Sequence, residues 1–314
     1  PRLNPTKVIA RKVFVMTSGA AAGPDADYPS VALAHGDYAA EIGLFGGALK
    51  ALTYRGAPLV ESYEGKPPLM AGVVLAPWPN RTEDGWFEWQ GTAHQLGITE
   101  PERNNAIHGF AVDWWRIKER SDNRVALAFD IEPRQGWPWA IQLEATYALD
   151  EQGLHHQLTA RTTEPVEVPF AYGLHLYLSP QGAGAEEAVL SVDVGKRYLL
   201  NARNLPTGKT QQVRIANQPI AEVDWDDCFH GKGPLTAVYS AGGKGVRLEM
   251  GEGLNWVQMF TPADFPRVGG PGKALAVEPM SAPPNALRSG EDLARLSAQN
   301  PQTFTLRLAA ENNN

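Results

Sequence analysis

The sequence predicts an all-β chain built from large antiparallel sheets packed face to face. Three observations carry this. Apolar residues come in short runs, many alternating with polar ones at the two-residue period of a half-buried strand. Gly (31) and Pro (25) are abundant among the 314 residues and fall between those runs, where turns need them. A single stretch reads as a helix: Ser289 can cap 290–296, with Asp292 favourable in the first turn.

Residues 1–29 read as a flexible N-terminal extension, with Met16 as a natural start and a small polar linker up to Asp27. A single domain spans 30–310, and 311–314 form a disordered tail. The domain opens with strands at 31–34, 38–42 and 49–54. The apolar run Val73-Val74-Leu75 ends in Pro77-Trp78-Pro79-Asn80-Arg81, where two prolines forbid a regular ladder. Asp84-Gly85 signals a hairpin. A loop at 99–105 leads into Ile107-His108-Gly109. Ile141, Leu143, Ala145, Tyr147 and Leu149 alternate with polar residues as a half-buried strand. Further strands follow at 154–161, 170–178, 189–192, 197–200, 236–239, 246–250, 255–260, 274–278 and 304–308.

Composition narrows the partners. Lys and Arg (28) against Asp and Glu (35) give a net charge of −7, with no basic run, which disfavours nucleic acid and anionic membrane. Cys228 is alone, so no internal disulfide or Cys-rich metal site can form. No apolar run approaches the ~18 residues of a membrane helix, and the cytoplasm is the expected compartment. No His-x-x-x-His pair, phosphate loop or Gly-x-Ser-x-Gly elbow is present, so neither a metal nor a cofactor is expected.

The 170–178 strand has a core face of Tyr172, Leu174, Leu176 and Leu178. Its other face carries Ala171, Gly173, His175 and Tyr177. Two small residues beside a histidine leave a hollow for its ring. A core histidine and a proton carrier near neutral pH are both open readings. Glu278 ends a strand before Pro279, Pro283 and Pro284, as a solvated rim charge or a positioned base. Arg81 offers fixed donors to hydroxyls. The bend at His108-Gly109 can bring backbone close to a ligand. In Asp224-Trp225-Asp226-Asp227-Cys228-Phe229, acids lie beside aromatics, a combination that suits sugars. Alternation allows only one of Asp226 and Asp227 to face a given site.

In order along the chain, these pieces resemble the aldose 1-epimerase (galactose mutarotase) family. The stretches are Pro79-Asn80-Arg81, Asn105-Ala106-Ile107-His108-Gly109, Gly173-Leu174-His175-Leu176-Tyr177, Asp226-Asp227-Cys228-Phe229, Val257-Gln258-Met259-Phe260-Thr261, Val277-Glu278-Pro279 and Pro284-Asn285-Ala286. The resemblance implies a β-supersandwich and reversible conversion of the α and β anomers of a free aldose, without cofactor or metal. It also implies that Glu278 is the base on the anomeric hydroxyl and His175 the acid at the ring oxygen. Arg81, His108, Asp226 and Gln258, with Asn80 and Tyr177, would hold the sugar. On this reading Glu278 is ionised and His175 protonated at rest, reaching the ring from different sides. The family's usual Leu-His-Gly-Gly stands here as Ile107-His108-Gly109-Phe110, and its His-Pro-Tyr-Phe as His175-Leu176-Tyr177-Leu178. These departures leave the sugar open. Alternatives are a hexose-6-phosphate 1-epimerase of the same fold, a non-catalytic carbohydrate-binding protein, and a glycoside-cleaving enzyme using Asp226 and Glu278.

Overall fold

The computed structural model describes residues 27–312. Two large antiparallel sheets dominate it. One has nine strands, in the order Arg116–Arg120, Arg124–Ile131, Ile141–Asp150, Gly153–Arg161, Gln302–Asn312, Lys244–Met250, Leu235–Ala241, Val189–Val192 and Ile215–Pro219. The other runs Pro206–Gln212, Lys196–Leu200, Asp226–His230, Trp256–Phe260, Leu275–Met280, Gly173–Leu174 and Val74–Leu75, with Tyr177–Leu178 also paired to the 275–280 strand. A four-stranded meander from Ser30–His35 to Ala57–Pro58 adds a third layer.

Alternation puts apolar side chains of both large sheets into one shared core. Leu127, Leu143, Leu158, Leu248 and Leu308 come from the nine-stranded sheet. Leu174, Phe229, Val257, Met259, Leu275 and Val277 come from the other. Burial on this scale is the main favourable term holding the layers together. The alternate residues of the second sheet point away from that core, and they build the cavity described below.

Several expectations shift. The helix is Ala286–Ser289, one turn long, so Ser289 is its last residue rather than its cap. Gly290, at φ 74°, closes the turn by donating to the Ala286 carbonyl. Residues Ala294–Leu296 instead pair with Val168–Phe170. Asp84-Gly85 is a left-handed turn (φ 56° and 62°), but it joins strands that do not pair with each other. The true hairpin turn is Gln90-Gly91, between Trp86–Trp89 and Thr92–Gln95.

At the ends, Tyr28 packs on Phe45 and Trp114, and Glu311 pairs with Gly245 inside the last strand. Both lie within segments that the sequence suggested were flexible. The remainder of those segments, 1–26 and 313–314, lies outside the described residues. Among the described residues no helix is long and apolar enough to cross a membrane.

Candidate active site

The sheet of the 275–280 strand supplies the floor of the site. Glu278 stands directly opposite Gln258 on the neighbouring strand. On its other side, Gly173 pairs with Met280 and Tyr177 with Ala276, so His175 falls opposite Glu278. Gln258, Glu278 and His175, the last in the gap between Gly173–Leu174 and Tyr177–Leu178, therefore form one row, all on the face turned from the core. His175 Nε2 lies 3.4 Å from Glu278 Oε1. The expected 170–178 strand is in fact broken at 171–172 and again at 175–176. There the His175 N–H donates to the Val73 carbonyl, and its own carbonyl accepts from Gly72 N–H.

Gly173 matters for a different reason from the one its sequence suggested. A Cβ there would sit 2.8 Å from the Pro79 side chain. The hollow beside His175 is filled by Pro79, and this close approach seats Asn80 and Arg81 over the floor. Likewise Gly109, at φ 69°, lets the chain cross the Ala76 carbonyl, 2.2 Å from where a Cβ would be. That crossing holds His108 in place. Asn80 N–H donates to His108 Nδ1 (3.2 Å) and His108 N–H to the Asn80 carbonyl (2.9 Å). With Nδ1 accepting, the neutral ring carries its proton on Nε2, a donor available to a ligand.

Arg81 is held by Glu100, which accepts from Nε (2.9 and 3.1 Å) and Nη2 (3.0 Å). Its Nη2 also lies 3.7 Å from Asp226 Oδ2. Asp226 accepts from Gln258 Nε2 (2.7 Å) and from Asn204 Nδ2. Asp227 faces the other way and is clamped by Arg197 (2.9 and 3.0 Å), as alternation required. Together Asn80, Arg81, Glu100, His108, His175, Asp226, Gln258 and Glu278 border a cavity of about 570 Å³. Its mouth is lined by Lys66, Leu69, Met70, Arg103 and Phe260.

Burial sets the electrostatics of the floor. It pushes the His175 imidazole down to about 4, so the ring is neutral at neutral pH. Burial pushes the Glu278 carboxyl well up, Asp226 pushes the same way, and Arg81 opposes. Burial thus works against the charged form of both members of the expected ion pair. His108 is held well below its ordinary value by burial, then by His175 and Arg81. Burial also pushes Glu100 up, but the bonds from Arg81 and Asn105 and the charges of Arg81 and Arg103 keep it below the usual carboxylate range.

Two buried oxygens on this floor, Gln258 Oε1 and Glu278 Oε2, have no protein partner. Unpaired buried acceptors are costly, and their adjacency fits a ligand rich in hydroxyl donors.

Seven of the eight residues singled out from the sequence converge here. Tyr177 does not reach the cavity wall. Its ring lies under His175 (centroids 5.3 Å apart, 24° between planes) and on Phe265, and its hydroxyl points to the Leu69 carbonyl (3.5 Å). Trp225 and Phe229 pack edge to face within the core, so the aromatic ring at the cavity is Phe260. Glu278 is 2% exposed and not a rim charge. Glu100 and Asn204 were missed. Glu100 meets Arg81 across 19 residues and Asn204 meets Asp226 across 22, distances over which loop residues leave no periodic signal.

Residues 29–308 match the sequence profile of the family described as aldose 1-epimerase. The chain belongs to the aldose 1-epimerase family. The uncharacterized protein YihR of Escherichia coli K12 is 31% identical to it over 288 residues, which is 87% of this chain and 90% of that one. Among solved structures, the galactose 1-epimerase of Lactobacillus acidophilus NCFM superposes with a TM-score of 0.76 at 18% identity, covering 91% of this chain and 95% of that one. A galactose mutarotase-like protein from Clostridium acetobutylicum gives 0.79 at 20% identity, covering 91% and 96%. The packed sheets of this aldose 1-epimerase family member are accordingly the galactose mutarotase-like β-supersandwich.

Proposed function

We propose that the chain interconverts the α and β anomers of a free hexose by acid–base ring opening and reclosure. The observation that carries this reading is the pairing of Glu278 and His175, 3.4 Å apart on the cavity floor. The anomeric hydroxyl oxygen and the ring oxygen hang on the same carbon. Two proton carriers side by side can therefore serve both, and need not approach from different sides. Glu278 takes the proton of the anomeric hydroxyl while His175 delivers one to the ring oxygen. The C1–O5 bond breaks and the C1 carbonyl forms. After rotation about C1–C2, O5 attacks the other face of the carbonyl, and both protons return. Each such transfer typically contributes ~10²–10⁴-fold.

The pair needs one proton in total. At rest that proton is on Glu278. Its transfer to His175 gives the reactive arrangement, helped by Arg81 and by substrate hydroxyls donating to Glu278 Oε2. Asn80, Arg81, His108, Asp226 and Gln258 hold the remaining hydroxyls. Of the cations lining the cavity, Arg81 and Arg103 both bond Glu100, while Lys66 remains beside them for a 6-phosphate. Proton NMR of freshly dissolved α-galactose, α-glucose and α-glucose 6-phosphate tests the reading. Accelerated anomer equilibration supports it, and the preferred sugar names the substrate. Binding without acceleration would make the chain a carbohydrate-binding protein, and loss of an added glycoside would make it a hydrolase.

A further inference from the structure

Glu100 is the most heavily committed charged side chain near the cavity, and the chemistry above gives it no task. It comes from a loop, 99–105, that closes on itself: Glu100 N–H donates to the Asn105 carbonyl (3.0 Å) and Asn105 N–H returns the bond (3.1 Å). Its carboxylate takes three contacts from Arg81, one from Arg103 Nη1 (3.0 Å) and one from Asn105 Nδ2 (2.9 Å). The loop is itself pinned from outside the cavity. Arg203 donates to the Arg103 carbonyl (2.8 Å), the Asn104 carbonyl (2.9 Å), Asn105 Oδ1 (3.2 Å) and Asp84 Oδ1 (2.7 Å).

The consequence lies in Arg81. Its guanidinium stands between two carboxylates, bonded to Glu100 and 3.7 Å from Asp226. The fork on Glu100 occupies the Nε and Nη2 edge. The gap to Asp226 leaves that carboxylate joined to its neutral partners, Gln258 and Asn204. We propose that Glu100 is a positioning residue for the sugar site: it holds Arg81 back from Asp226, so that both remain open to substrate hydroxyls. Without its charge, Arg81 swings the short distance to Asp226, and the two binding groups satisfy each other instead of the sugar. Glu100 touches neither member of the proton-transfer pair, so its loss falls mainly on substrate binding and reaches turnover only through the displaced Arg81. This rests on the mutarotase reading for its substrate, but the comparison between variants does not depend on turnover.

The test is steady-state polarimetry on wild type, Glu100→Gln and Glu100→Asp, with sugar binding measured by calorimetry on the same three proteins. Misplacement of a binding group by about 1 Å can cost on the order of 100-fold. Glu100→Gln should raise KM and Kd by roughly 10- to 100-fold, with a clearly smaller fall in kcat. Glu100→Asp, which keeps the charge on a shorter arm, should recover part of the loss. An inactive wild type that still binds sugar would sink the mutarotase reading, and the Kd ratios would still decide the role of Glu100. Folded Glu100→Gln with unchanged KM and Kd, or an equal fall in kcat with KM unchanged, would overturn the proposal. Should Glu100→Gln unfold, a folded Glu100→Asp with wild-type affinity would also overturn it. Failure of both to fold would assign Glu100 to stability alone.

Discussion

The two walls of the cavity are built on opposite principles. The floor is borne by the sheet: Gln258, Glu278 and His175 stand in a row across it, each keeps one buried polar atom without a protein partner, and burial pushes the two titratable groups towards neutrality. The roof is mostly loop-borne: Asn80, Glu100 and His108 come from irregular segments, Arg81 opens the short strand Arg81–Glu83, and all are tied to one another by charged and neutral hydrogen bonds. The contrast teaches where each kind of task sits. Proton transfer needs two groups that can share one proton, and desolvation on a rigid sheet raises the carboxyl and lowers the imidazole, reversing their ordinary order. Recognition of hydroxyls needs fixed donors and acceptors, and a satisfied network supplies these on loops that vary readily between relatives.

The largest effect should come from removing the floor's chemistry altogether. Glu278→Gln and His175→Asn should each lower kcat by ~10²–10⁴-fold, and the double variant should lose less than the product of the two. A fully multiplicative loss would mean that the two groups act in independent steps. For the groups that only bind, the effect should be smaller and of another kind. Asp226→Ala should raise the Kd for sugar by about 10- to 100-fold, since a hydrogen bond to a charged group is worth ~1.5–3 kcal/mol. Asp227→Ala, which breaks only the clamp from Arg197, should leave Kd unchanged. Calorimetry in the reverse order would shift the strand register by one.

Acidity should separate the walls next. Because the pair works with one proton, its rate should fall at low pH as His175 gains a second, near the value of about 4 to which burial drives it. It should fall at high pH as Glu278 loses the first, well above the ordinary carboxylate range. These limbs are the reverse of those an ion pair would give. An acid limb close to the ordinary imidazole value of about 6.5 would refute the neutral pair.

The smallest effect is on stability. Glu278 binds its proton more tightly folded than unfolded. Its contribution is therefore fully present below the ordinary carboxylate value and is lost as pH rises towards the raised one. Glu278→Gln removes that loss. Its Tm should exceed that of wild type at pH 8, and the difference should shrink as pH falls towards 4. Equal melting at both pH values would place Glu278 in contact with water.

Much of the floor was legible in the sequence because strands have a fixed period. The alternation that put Leu174, Leu176 and Leu178 in the core also put His175 on the cavity face, and the same argument turned Asp226 and Asp227 to opposite sides. What alternation could not supply was depth. The proton state of His175 and Glu278 follows from how many layers cover them, a tertiary property, and burial works against both of the charges expected from the sequence. The roof was less legible. His108 and Arg81 stood out by their motifs, but Glu100 sits in a loop of polar residues and acquires its meaning only from the fold. The misplaced helix has a local cause: Gly290 reads as a tolerable first-turn residue, yet in its left-handed conformation it ends the preceding turn.

The central claim is that the strand-borne pair performs the chemistry. Polarimetry on an anomerically pure hexose, with wild type and Glu278→Gln side by side and circular dichroism as the folding control, tests it most directly. The expected result is rapid approach to anomeric equilibrium with wild type and near the spontaneous rate with the folded variant. Near-normal turnover in folded Glu278→Gln would contradict the account and make Asp226 the first candidate for the base.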